Sequence, residues 1–70
     1  MELKDMKLGQ FLLVLRKAKG WKMEELAERA GLSSATVCRL ENGKDARLTS
    51  LKKIAKALDI SISELVKYDV

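Results

Sequence analysis

The tightest constraint on this chain is the interruption Gly31-Leu32-Ser33, only three residues long, between two short stretches of helical periodicity. Before it, Leu26, Ala27 and Ala30 recur at helical spacing from about Met23, and Glu24 and Glu25 complement the dipole at that helix's start. After it, Ser33 is a natural N-cap for a helix from Ser34 to about Glu41, with Val37 and Leu40 facing inward. Helices joined by so short a break must cross steeply and pack closely. The crossing needs a small residue where the second helix passes, and Ala27 stands there. The turn needs a residue that tolerates positive φ, which Gly31 supplies, while Leu32 plugs the space beneath it.

The rest of the chain also reads as helix. Leu8, Phe11, Leu12, Leu15 and Ala18 form one face of a first helix that stops at Lys19-Gly20. Asn42-Gly43 ends the third helix, and residues 44–48 read as a basic loop. Thr49 is the expected cap of a fourth helix, whose Leu51, Ile54, Ala55 and Leu58 face the core. Ser61-Ile62-Ser63-Glu64 has the S-x-x-E capping-box pattern and opens a short fifth helix containing Leu65. Val and Ile never alternate with polar residues over a strand's length. The expected fold is all-α, a compact bundle of five short helices in a single domain over residues 1–70.

Composition narrows the function. Seventy residues leave no room for a separate catalytic module, and a core of this size supplies about 3–5 kcal/mol. His and Pro are absent and Cys38 stands alone, which argues against disulfides, Cys/His zinc sites and His-based acid–base chemistry. With no nucleophile–base pair and no phosphate-cradling Gly loop, no enzyme, metal or cofactor is expected. Cys38 reads as a small packing residue near the inward side of its helix.

Fourteen Lys and Arg against ten acids give a net charge of +4, which suits a polyanionic partner. The cations cluster at Arg16, Lys17, Lys19 and Lys22, and again at Arg39, Lys44, Arg47, Lys52 and Lys53; either cluster taken alone reads equally as a solvated face. Met1-Glu2-Leu3-Lys4-Asp5 does not open a signal peptide, no apolar run reaches membrane-spanning length, and a single Cys fits a reducing compartment. A cytoplasmic, nucleoid-associated protein is expected, without a membrane partner.

Five stretches then fall in one register between about Leu8 and Leu65. They are Leu15-Arg16-Lys17, Glu25-Leu26-Ala27-Glu28, Ala30-Gly31-Leu32-Ser33, Leu40-Glu41-Asn42-Gly43-Lys44 and Ile54-Ala55-Lys56-Ala57-Leu58. In them the chain resembles the Cro and lambda-repressor-type helix-turn-helix regulators, the Xre family. The resemblance implies a lambda-repressor-like DNA-binding domain with its helix-turn-helix over about 23–41. Its recognition helix, about 34–41, would enter the major groove. It implies that Arg16 pairs with Glu41 out of solvent, so that Arg16 is structural and not a DNA contact. By position, Ser34, Ala35, Thr36 and Arg39 match the family's base-reading residues. Arg39 is the strongest, because one guanidinium can bond guanine O6 and N7 together. Ser34 and Thr36 suit bases or phosphates, and Ala35 a thymine methyl. Lys22, Ser33, Asn42, Gly43, Lys44 and Arg47 match positions that grip the phosphate backbone.

The chain departs from the family in three places, one of them the loop after Lys44, which lacks the Pro that many members carry. Many members begin the second helix with Ser or Thr followed by Gln, which binds a phosphate. Here Lys22 and Met23 stand there, and Met23 can pack but cannot make those bonds. Phe11-Leu12-Leu13-Val14-Leu15 is a run of five apolar residues that one helix face cannot bury. Leu13 and Val14 are therefore expected at a contact with another subunit or a partner protein. Ile60, Ile62, Val66 and Tyr68 form the rival surface. A homodimer is expected, since one recognition helix covers only about four or five base pairs and two set about 34 Å apart read a near-palindromic site. The function expected is a sequence-specific double-stranded DNA-binding regulator, a repressor acting at an operator. The alternative is an antitoxin or protein-interaction module of the same fold that binds a protein partner as well as DNA.

Overall fold

A computed structural model describes residues 7–44 and 47–67, with the backbone alone for Val66. Five helices follow one another: α1 (Leu8–Ala18), α2 (Met23–Ala30), α3 (Ser34–Glu41), α4 (Leu48–Leu58) and α5 (Ile62–Val66). No strand occurs among the described residues. Every helix contributes to one core: Leu12, Leu26, Val37, Ile54 and Leu65, one from each, are the largest fully buried side chains. Phe11, Leu15, Trp21, Leu32, Ala57, Ile60 and Ile62 pack around this centre, half-buried.

The bend between α2 and α3 is built as its residues require. Gly31 caps α2 in the left-handed region at φ 70° and ψ 34°. Leu32 N then donates to Ala27 O at 2.8 Å, which turns the chain back over the end of α2. Ser33 follows in extended conformation, and its Oγ accepts from Thr36 N at 3.2 Å, capping α3. Leu32 is half-buried against the core.

Residue 9 sets how closely α1 can lie on α3. Gly9 faces the end of α3, where a Cβ would stand 2.5 Å from the Glu41 carbonyl oxygen and 2.8 Å from that of Leu40. Only a hydrogen allows the two backbones to meet there. The helix keeps this glycine despite its low propensity. Gln10 helps to start α1 by accepting from Lys7 N at 3.2 Å.

Four expectations need correction. Thr49 does not cap α4: the helix begins at Leu48, with Arg47 as the extended N-cap whose carbonyl accepts from Leu51 N at 2.9 Å. Leu48 is 55% exposed, so it lies off the apolar periodicity by which that helix is recognised. Ser61 does cap α5 by position, but the capping box does not form, because its hydroxyl pairs with Ser63 Oγ at 2.9 Å while Glu64 faces Lys67. Ala18 is exposed, so the buried face of α1 ends a turn early. Cys38 is exposed rather than packed, since the positions that turn inward on α3 are Val37 and Leu40.

Candidate nucleic-acid interface

With Val37 and Leu40 buried, α3 presents Ser34, Ala35 and Arg39 to solvent, with Thr36 half-buried beside them. Hydrogen bonds link two of these residues, Thr36 and Arg39, to each other and to the N-cap Ser33. Ser33 Oγ lies 2.9 Å from Thr36 Oγ1, and Arg39 Nη2 donates to the same Thr36 oxygen at 3.4 Å. Ser34 and Ala35 occupy the exposed first turn.

The far end of α3 is closed by its own backbone and by Asn42. Lys44 N donates to Arg39 O at 2.8 Å and Gly43 N to Leu40 O at 3.1 Å, with Gly43 at φ 78°. Asn42 Nδ2 donates to Cys38 O at 2.8 Å and lies 3.4 Å from Cys38 Sγ. Asn42, Gly43 and Lys44 are thus gathered in one tight, exposed turn, and Arg47 is exposed at the start of α4. Lys22 stands apart, exposed at the N-cap of α2, where its N–H is satisfied by Glu25 Oε1 at 3.0 Å. Met23 beside it is exposed and offers only a thioether.

A network behind this face ties its far end to the body of the protein. Arg16 Nε donates to Glu41 Oε2 at 2.7 Å and Nη2 to Oε1 at 3.2 Å, so the pair is bidentate. Arg16 Nη1 also donates to Trp21 O at 2.7 Å. The two charged side chains are only 9% and 7% exposed. Trp21, which sequence reasoning passed over, then receives the Arg29 guanidinium 4.4 Å from its ring centre and Lys19 Nζ at 5.5 Å. Lys19 stands two residues before the ring, but Arg29 is eight residues beyond it and reaches it only once α2 is folded.

The surfaces expected to meet a second chain differ in what they expose. Val14 is 49% exposed and Leu13 half-buried on α1. Ile60 and Ile62 are half-buried against the core, so much of their apolar surface is used within the chain. Val66 ends α5, and Tyr68 lies outside the described residues. Among the described residues, no helix is long and apolar enough to cross a membrane.

Comparison with known proteins agrees with this geometry. A helix-turn-helix family model matches residues 12–65. Antitoxin HipB of Escherichia coli (strain K12) is 33% identical over 57 residues, covering 80% of this chain and 65% of its own length. SinR of Bacillus subtilis (strain 168), an HTH-type transcriptional regulator, is 31% identical over 61 residues, covering 84% of this chain and 55% of its own. A SinR crystal structure in complex with DNA superposes with a TM-score of 0.77, covering 84% of this chain and 97% of that one at 31% identity. The restriction-modification controller protein C.AhdI from Aeromonas hydrophila gives a TM-score of 0.78 at 42% identity, covering 83% of this chain and 89% of that one. The chain spans between 43% and 65% of the length of the curated relatives it matches. From the steep turn at Gly31 to the family match over residues 12–65, these findings agree, and the chain belongs to the Xre-type helix-turn-helix family of DNA-binding transcriptional regulators.

Proposed function

We propose that this chain is a sequence-specific binder of double-stranded DNA that represses transcription by occupying a near-palindromic operator as a homodimer, with α3 in the major groove. The observation that carries this is the exposed polar face of α3, held outward by the burial of Val37 and Leu40. On that face Ser34, Ala35, Thr36 and Arg39 are the base-facing set, and Arg39 addresses a guanine. Ser33, Asn42, Gly43, Lys44 and Arg47 at the two ends of α3, with Lys22 on α2, hold the phosphate backbone. No metal or cofactor takes part, and the site of action is the cytoplasm, on the nucleoid.

Lys22, Lys44 and Arg47 contribute three phosphate-directed cations per subunit, hence six per dimer. Counterion release then gives a slope of about −5 for log affinity against log salt. Selection of bound duplexes from a random pool, followed by titration over a salt series, tests the assignment. A palindromic consensus with a steep slope supports it. A shallow slope with no preferred sequence refutes it.

The second reading is a protein-binding role like that of an antitoxin, through the outer side of α1. The exposure of Val14 and the likeness to HipB favour it. Because such a protein also binds DNA, the discriminating result is a stoichiometric partner that copurifies with the wild type and is lost when Leu13 and Val14 become Lys.

A further inference from the structure

We infer that Thr36 is a positioning residue that aims Arg39 at its base, and not itself a reader of sequence; this rests on the DNA-binding assignment and gives one residue of it a different task. Thr36 Oγ1 sits between two partners on its own helix, Ser33 Oγ at 2.9 Å and Arg39 Nη2 at 3.4 Å. A guanidinium can only donate, so the Thr36 oxygen is the acceptor of that bond. Ser33 Oγ accepts from Thr36 N at 3.2 Å, and in the 2.9 Å pair between the two hydroxyls either oxygen can be the donor. Both neighbours therefore engage the half-buried Thr36 hydroxyl, one at the N-cap of α3 and one a turn further on.

Two consequences follow for recognition. The Thr36 hydroxyl is engaged by both neighbours, which competes with a bond to a base edge. Arg39, a long side chain with many rotamers, is drawn back along the helix toward the first turn of α3, the end that lies deepest in a major groove. Holding a guanidinium in one orientation removes part of the entropy it would lose on bonding guanine O6 and N7. Arg39, which can only donate, then faces the outer edge of α3, which favours the acceptor-rich edge of guanine.

A double-mutant cycle on duplexes obtained by selection tests this, with Arg39→Ala, Thr36→Val, Thr36→Ala, Thr36→Ser and the Arg39→Ala/Thr36→Val pair. The readout is the ratio of affinities for the selected duplex and for one in which the Arg39-dependent guanine is replaced. Thermal melting shows which variants are folded. Arg39→Ala should lower the ratio by about 5- to 100-fold, the worth of a bidentate contact. Thr36→Val and Thr36→Ala should each lower the same ratio by about 3- to 10-fold, as befits one hydrogen bond. Thr36→Ser keeps the hydroxyl and should restore it. In the Arg39→Ala background, Thr36→Val should lower the ratio no further. A Thr36 effect at a different base pair, or one that persists without Arg39, would make Thr36 a base reader and overturn the inference. So would an unchanged ratio in folded Thr36→Val and Thr36→Ala. If the wild type selects no sequence at all, it is the DNA-binding assignment that fails.

Discussion

Replacing Gly9 by Ala sets two physical effects of opposite sign against each other, and the structure says which wins. Gly9 lies in the first turn of α1, and helix propensity alone makes Ala better there by about 1 kcal/mol. Against this, the new Cβ would stand 2.5 Å from Glu41 O, 2.8 Å from Glu41 C and 2.8 Å from Leu40 O. All three neighbours are backbone atoms at the end of α3, so no side chain can swing aside. Reaching an ordinary contact of about 3.4 Å requires α1 and α3 to part by nearly an ångström, and a gap of that size forfeits a quarter to a half of each contact across it. Leu8 and Leu12 are buried on α1, Leu40 on α3, and the Arg16–Glu41 pair spans the two helices, so all of these feel the shift. Overpacking costs about 1–3 kcal/mol, with a rigid neighbour at the upper end, which leaves a net loss of about 1–2 kcal/mol.

For a domain of this size, that loss lowers the melting temperature by roughly 5–15 °C. Far-UV circular dichroism on heating, with urea titration as a second measure, reads it directly. The sign decides the matter: if Gly9→Ala melts at or above the wild type, propensity has prevailed and the close approach of α1 to α3 is wrong. Gly31→Asn provides the contrast. A Cβ at position 31 meets nothing within 4 Å, and φ there is +70°, so Asn, which enters the left-handed region readily, should cost less than Ala.

Three further outcomes follow from named contacts. Glu41→Gln strands Arg16 as a buried unpaired charge at a cost of about 3–5 kcal/mol, comparable to the whole stability of a domain this small, so circular dichroism should show a largely unfolded chain; a wild-type urea midpoint would mean the pair contributes little. Asp59→Gly should raise the melting temperature, by relieving a non-Gly residue at φ 59° and removing an acid from the C-terminal end of α4, for a gain of about 0.5–1 kcal/mol; a lower melting point would show that Asp59 has a compensating role. Replacing Leu13 and Val14 by Lys should abolish self-association or partner binding in sedimentation if α1 carries either contact, whereas an unchanged mass distribution and unchanged partner binding would remove α1 from consideration.

The fold was legible wherever an apolar period and a cap agreed. Leu26, Ala27 and Ala30 on one side of Gly31, and Ser33, Val37 and Leu40 on the other, define α2 and α3 to the residue. The outward face of α3 follows from the same period, since removing Val37 and Leu40 leaves few alternatives. What escaped depends on contact between elements remote in sequence. Gly9 has no turn and no special φ to mark it, and its meaning appears only when α3 arrives. Leu48 begins α4 while pointing at solvent, so neither period nor hydroxyl cap announces it. Trp21 offers an aromatic without saying which cations will lie over it. Within the candidate site, the order of residues fixed which side chains are neighbours, but not that a threonine would hold the arginine.

This division bears on how variants will behave. Helix α3 has only eight residues and makes no stable helix alone, since isolated helices shorter than about 12–15 residues are marginal in water. Its direction is imposed from outside: by the turn at Gly31, by the anchors Val37 and Leu40, and at its far end by Gly9 and the Arg16–Glu41 pair. A loss at Gly9 or Glu41 therefore acts by reducing the folded fraction, and it should weaken every duplex by the same factor at a given temperature. A change at Arg39 or Thr36 alters the folded molecule's own surface and should weaken one duplex relative to another. Measuring affinity for two duplexes at two temperatures separates the classes, because the structural variants should recover affinity on cooling toward the temperature of maximum stability while their base preference stays constant.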